Sequence, residues 1–193
     1  MPVGIFAIEC YFPKLYVEQT DLERHDGCVG KYTKGLGLRQ MGVCSAYEDT
    51  ASQALTVTKK LLKNYKIDKK RIGRIDCATE SLIDKSKSIK TNLMQLFEHE
   101  NSNIEGADNI NACYGGTAAL FNALSWVDSS FNIDNKLALV VASDAAVYDP
   151  NGSPGARATG GAGAVAILVG RNAPHITVNP KWRASYSRDV WDF

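Results

Sequence analysis

Two residues stand where reactive groups are expected. Cys113 lies in Asn111-Ala112-Cys113-Tyr114-Gly115-Gly116, just ahead of a run from Gly115 to Val127 that is apolar nearly all round. A thiol at a helix N-terminus faces unpaired backbone N–H groups and the positive end of the helix dipole, and both favour the reactive thiolate. Gly115 and Gly116 let the backbone turn sharply and let a substrate come close. Core packing is the competing fate of an unpaired cysteine, but the surrounding motif favours a nucleophile. Glu80, in Thr79-Glu80-Ser81, follows a β-rich run. A carboxylate at the C-terminal end of a strand can act as a general acid or base, although spacing alone leaves a solvated loop carboxylate as the commoner fate.

Other chemistries fit the composition poorly. The five cysteines (Cys10, Cys28, Cys44, Cys77 and Cys113) form no Cys-x-x-Cys pair, and there are three histidines. Neither a disulfide framework nor a zinc site follows from that pattern, and a reducing compartment is the simpler reading. Lys plus Arg number 22 against 21 Asp plus Glu, a net charge of +1 that argues against a dedicated nucleic-acid binder. Gly160-Gly161-Ala162-Gly163 and Gly35-Leu36-Gly37 lack the full dinucleotide fingerprint, and no phosphate-loop motif exists. The basic run from Lys59 to Arg71 reads as the solvated side of an amphipathic helix. No apolar run approaches the ~18 residues of a membrane span, and no signal peptide precedes Val3.

The elements that must position these residues alternate between strand and helix, the pattern of an α/β layered fold. Strands are predicted over Val3 to Tyr11, Ile72 to Thr79, Ala107 to Asn111, Leu137 to Ser143 and Ala162 to Val169. A helix is predicted from a capping box at Ser45 and Glu48 to about Tyr65, and another over Ser88 to Glu98. Gly30 to Gly42 and Pro150 to Gly161 read as loops. The apolar run after Cys113 predicts a helix buried on all sides.

The stretches GKYTKGLG (30–37), TESLIDKSKSIKTNLMQLFE (79–98), NACYGGTAALFNA (111–123) and ATGGAGAVAILVG (158–170) resemble the 3-hydroxy-3-methylglutaryl-CoA synthase family of the thiolase superfamily. The resemblance runs from Val3 to about Phe193. It implies a thiolase-like α-β-α layered fold, with residues 1–193 as the N-terminal half-domain of the duplicated unit. It also implies an acyltransferase that condenses acetyl-CoA with acetoacetyl-CoA through an acetyl-cysteine to give 3-hydroxy-3-methylglutaryl-CoA in the mevalonate or ketogenic pathway. Cys113 matches the acetylated cysteine, Glu80 the general acid/base and Thr159 a substrate-contacting threonine. Gly155 stands where the family has an asparagine, unless Asn151 replaces it. The segment before Gly30 is one residue short, so its substrate contacts map onto Cys28 and Val29, and Lys31 joins the substrate-binding residues. No cofactor is implied, because the CoA thioesters are substrates.

By the same resemblance a C-terminal half supplies the catalytic histidine, which none of His25, His99 or His175 matches. The implied partner is that half or a full-length homologue, in an enzyme that is a homo-oligomer; the lack of an Arg- and Ser-rich leader before Val3 favours the cytoplasm over the mitochondrion. Two alternatives stay open: a non-catalytic half that binds a partner, and another thiolase-type condensing enzyme such as a ketoacyl synthase. The Thr79-Glu80 motif disfavours the second.

Overall fold

The computed structural model of the chain describes residues 1–149 and 152–189. Six strands form one mixed sheet: β1 (Val3–Tyr11), β4 (Ile72–Ala78), β5 (Asp108–Asn109), β6 (Leu137–Ala146), β7 (Gly161–Arg171) and β8 (Ile176–Thr177), in the order β5-β4-β6-β7-β1-β8. β4 runs parallel to both β5 and β6, and the remaining pairs are antiparallel. The centre of the sheet is apolar because both of its faces are covered: Leu137 to Val141 of β6 are all buried. A second, two-stranded sheet pairs β2 (Leu15–Glu18) with β3 (Gln40–Val43).

On one face, α2 (Thr50–Asn64) and α3 (Ile89–Leu93) cover β1, β4, β6 and β7. Ala54, Val57 and Leu61 of α2 recur at helical spacing on the buried side, while Lys59, Lys60 and Lys63 face solvent. They join Ile75, Leu139 and Leu168 of the sheet in the larger core. On the other face lies α4 (Gly115–Asp128), which packs on β4 and β6 through a smaller core. The result is the helix–sheet–helix layering that the sequence predicts.

Four predicted details are corrected. The cap of α2 is Asp49, whose carboxylate accepts the Ser52 N–H at 2.7 Å while the Ser52 hydroxyl accepts the Asp49 N–H at 2.8 Å. Ser45 and Glu48 do meet, at 2.9 Å, but they close the turn before it. Within the predicted loop 30–42 lie a π-helical turn over Lys31–Gly35 and the strand β3, which a non-local partner, β2, stabilises. The loop after β6 contains α5 (Pro154–Thr159), started by a proline at its first position.

The fourth correction concerns α4. Only Gly115, Ala119, Ala123 and Val127, four apart, are buried. Small residues on that stripe bring the helix close to the sheet. Leu120, Phe121, Leu124 and Trp126 stay half-exposed on its flanks and outer side. Part of this outer side is crossed by the C-terminal segment, whose Arg183 guanidinium stacks 4.3 Å from the Phe121 ring centroid and donates to the Ser125 hydroxyl at 2.9 Å. The helix is therefore amphipathic: its exposed residues are Thr117, Asn122, Ser125 and Asp128, all polar.

The approach to β5 depends on a glycine. Residues 105–107 run beside β4, with the Ile75 N–H donating to the Glu105 carbonyl at 2.9 Å and the Cys77 N–H to the Ala107 carbonyl at 3.0 Å. Between them Gly106 has φ 129°, and a Cβ there would sit 1.8 Å from the Ile75 carbonyl oxygen. Gly106→Ala must therefore shift one backbone or the other, and a loss of ~3 kcal/mol or more is expected in urea unfolding. Stability within ~1 kcal/mol of the parent would contradict this packing, since surface substitutions stay in that range.

Candidate functional site

Parallel pairing determines which residues share an edge. β4 pairs Ala78 with Asn109 of β5 and with Ala142 of β6, so β4 and β5 end together while β6 runs on to Ala146. Two residues beyond Ala78 is Glu80, and two beyond Ala142 is Asp144. From β5 the chain turns through Asn111 and Ala112 to Cys113 and enters α4. Cys113 and Glu80 therefore leave neighbouring strands at the same, C-terminal edge of the sheet, and both are solvent-exposed.

The turn that presents Cys113 is tight. Ala112 has φ 41°, a left-handed backbone that residues with a Cβ adopt at a cost of ~1–3 kcal/mol and mainly at functional sites. The Tyr114 N–H donates to the Asn111 carbonyl at 3.0 Å and the Gly115 N–H to the Ala112 carbonyl at 3.2 Å. Asn109 pins the strand before the turn: its amide donates to the Cys77 carbonyl at 3.0 Å and accepts from Asn122 of α4 at 2.9 Å. Cys113 lies two residues ahead of the first residue of α4, at the helix start that its motif predicts.

Glu80 is held through its backbone. One carboxylate oxygen of Asp144 accepts the Glu80 N–H at 2.7 Å, the Thr79 hydroxyl at 3.0 Å and the Ser81 hydroxyl at 3.0 Å. The Thr50 hydroxyl of α2 donates to the Ser81 carbonyl at 3.0 Å. Asp144 was missed by sequence reading, which ended the apolar strand at Ser143. Asp144 lies inside β6, two residues before its end, and the register beside β4 is what brings it to Glu80.

The four remaining candidates fall on two loops. Val29 and Lys31 flank Gly30 after α1 (Gln19–Asp26), and both are exposed. Gly155 and Thr159 lie on α5, where the Thr159 hydroxyl donates to the Ala156 carbonyl at 2.9 Å. Gly155 has no side chain to replace an asparagine, and Asn151 lies outside the described residues. The two loops are bound together through α1. Arg157 of α5 pairs with Asp26, the Tyr32 hydroxyl donates to the same carboxylate at 2.7 Å, and Gln19 donates to the Ala158 carbonyl at 2.9 Å. Both bonds hold Asp26 below its ordinary pKa, Arg157 first and Tyr32 second.

Gly160 and Gly161 have a packing role instead of cradling a phosphate. Gly161 has φ 127°, and a Cβ there would meet Met41 at 2.8 Å, so the start of β7 lies directly against β3. A cavity of about 400 Å³ opens beside this contact, lined by Met41, Val43, Cys44, Tyr148 and Arg157 but not by Cys113 or Glu80. Among the described residues no cluster of His, Cys, Asp and Glu could hold a metal, and no helix is long and apolar enough to cross a membrane.

A family model described as Hydroxymethylglutaryl-coenzyme A synthase N terminal matches residues 1–174. The chain belongs to the hydroxymethylglutaryl-CoA synthase family. The hydroxymethylglutaryl-CoA synthase of Gibberella zeae is 55% identical over 192 residues, which is 99% of this chain and 41% of that protein. The cytoplasmic hydroxymethylglutaryl-CoA synthase of Gallus gallus is 54% identical over 193 residues, 99% of this chain and 36% of the relative. Among solved structures, MvaS in complex with 3-hydroxy-3-methylglutaryl coenzyme A superposes with a TM-score of 0.79 at 38% identity, over 88% of this chain and 40% of that one. The curacin-pathway HMG synthase in complex with acetyl donor-ACP superposes with a TM-score of 0.84 at 26% identity, over all of this chain and 47% of that one. The fold is thus the thiolase-like layering of hydroxymethylglutaryl-CoA synthases, and the chain spans about two fifths of the length of these curated relatives.

The Val29–Lys31 loop carries its own acid-sensitive anchor. Glu23 of α1, 3% exposed, accepts the Thr33 N–H at 2.7 Å, the Tyr32 N–H at 2.7 Å and the Thr33 hydroxyl at 2.9 Å. The Thr33 N–H leads in lowering its pKa from 4.5 to about 2. A carboxylate depressed by folding stabilises the folded state above its ordinary pKa, and that contribution is lost as pH falls from 4.5 towards about 2. Glu23→Gln should lower thermal stability at neutral pH and flatten its fall through this window. Parallel stability–pH curves for the two proteins would contradict the anchor.

Proposed function

We propose that this chain carries the acyl-transfer centre of a hydroxymethylglutaryl-CoA synthase, with acetyl-CoA and acetoacetyl-CoA as substrates. The observation that supports it is the shared edge: in a member of this family, the register of β4, β5 and β6 delivers Cys113 and Glu80 to one rim of the sheet. The Cys113 thiolate attacks the thioester carbonyl of acetyl-CoA, CoA leaves as its thiolate, and acetyl-Cys113 forms. Glu80 takes a proton from the acetyl methyl group, and the resulting enolate attacks the ketone carbon of acetoacetyl-CoA. Water then cleaves the thioester to Cys113, releasing 3-hydroxy-3-methylglutaryl-CoA and restoring the thiol. The covalent intermediate divides one difficult step into easier ones. Asp144 serves by holding the backbone of Glu80, and Val29, Lys31, Gly155 and Thr159 line the approach of the acyl-CoA.

The rest of the reaction belongs to protein beyond residues 1–193, which we read as the N-terminal half-domain. Condensation needs a donor for the oxyanion that forms on the ketone, a term worth about 3–4 kcal/mol. His25, His99 and His175 are exposed and match no such motif, so a C-terminal half or a full-length homologue supplies it. The half-exposed outer side of α4, with Phe121, Leu124 and Trp126, is where this partner packs. The cytoplasmic names of the Gallus gallus and Mus musculus relatives support a cytoplasmic enzyme, and the family resemblance supports a homo-oligomer. The non-catalytic alternative is disfavoured because Cys113 and Glu80 are both retained on a fully built edge.

In the intact protein that carries this chain, Glu80→Ala should retain acetyl loading of Cys113 but lose ~10²–10⁴-fold in condensation, the usual contribution of a positioned acid or base. Cys113→Ala should lose both. Intact mass after acetyl-CoA reports loading, and the decline of acetoacetyl-CoA enolate absorbance reports condensation. A Glu80→Ala protein that fails to load acetyl yet still condenses would overturn the assignment.

A further inference from the structure

We infer that the Asp26–Arg157 ion pair, with Tyr32 as its third member, is a positioning latch that fixes the spacing of the two loops lining the acyl-CoA approach. The identity of what the loops hold rests on the function proposed above; the latch itself rests on geometry. Arg157 and Asp26 are 131 residues apart, and their side chains are 18% and 3% exposed. One oxygen of Asp26 takes the guanidinium and the other takes the Tyr32 hydroxyl at 2.7 Å. Tyr32 is fully buried and lies inside the π-helical turn that begins at Lys31, two residues after Val29. Arg157 lies between Gly155 and Thr159 on α5.

The contact therefore connects the two candidate loops through one carboxylate. The first loop is also anchored to Glu23 of α1, and α5 packs on that same helix. Gln19 of α1 adds a parallel link to the Ala158 carbonyl at 2.9 Å. Removing either charge breaks the contact that spans the two loops, so the loops should part instead of sharing one geometry. Asp26, Arg157 and Tyr32 touch no reacting atom in this scheme and act on the substrate through loop spacing alone.

The test is hydrogen exchange by mass spectrometry on the intact protein that carries this chain, in the parent, Asp26→Asn, Arg157→Met, Arg157→Lys and the swapped Asp26→Arg/Arg157→Asp. Asp26→Asn and Arg157→Met should each speed exchange in both segments, residues 28–35 and 154–160, with β4 and β6 unchanged. Arg157→Lys should recover part of the protection and the swapped pair most of it. Faster exchange confined to the substituted loop, or spread equally into β4 and β6, would overturn the latch. A second arm measures acetyl loading, where misplaced binding groups should raise KM for acetyl-CoA ~10–100-fold with kcat little changed. Joint loosening of both loops with an unchanged KM would uphold the latch and reject the acyl-CoA reading of the loops. A parent that loads no acetyl group would reject the proposed function and leave exchange to decide the latch.

Discussion

The organising constraint is the parallel register of β4 with both of its neighbours. Ala78 pairs with Asn109 on one side and Ala142 on the other, so β4 and β5 leave the sheet at one level beside the last residues of β6. Strands in a sheet lie ~4.8 Å apart, and whatever follows each strand by the same number of residues is brought together at that spacing. Glu80 and Asp144 meet on this account alone, with the Glu80 N–H donating to Asp144 at 2.7 Å. Cys113 reaches the rim by a different route, a strained turn at Ala112 that feeds straight into α4. The apolar core under β4 and β6 over-determines this edge, which lets the turn keep its unfavourable backbone.

A second layer of constraint comes from close approaches. Gly106 lets residues 105–107 lie against β4, and Gly161 lets β7 begin directly against β3. Gly115, Ala119 and Ala123 bring α4 down onto the sheet. Close packing on that side leaves the larger side chains Phe121, Leu124 and Trp126 on the flanks and outer side, where they are half-exposed. This half-exposed apolar rim alternates with the exposed polar residues Thr117, Asn122 and Ser125.

Much of this was legible in the residues themselves. The apolar run of β6, the helical spacing of α2 and the strand before Glu80 each carry their signal locally. The Cys113 motif placed the thiol at a helix start without any structure. Long-range features were not legible. The reading of α4 as buried all round passed over Thr117, Asn122, Ser125 and Asp128, the polar residues that mark its exposed side. β3 went unread in a glycine-rich stretch because its partner, β2, is 22 to 28 residues away in the ladder from Glu18–Gln40 to Leu15–Val43. Asp144 gained meaning only through register, and Asp26 met Arg157 only through the fold.

The central claim is that Cys113 accepts the acyl group. The most direct measurement is peptide mapping of the intact protein after brief exposure to acetyl-CoA labelled in its acetyl group, with an acid quench to preserve thioesters. The account predicts the label on the peptide that contains Cys113 and its loss when neutral hydroxylamine cleaves thioesters. Label on Cys28 or Cys44, or on no cysteine at all, would contradict it.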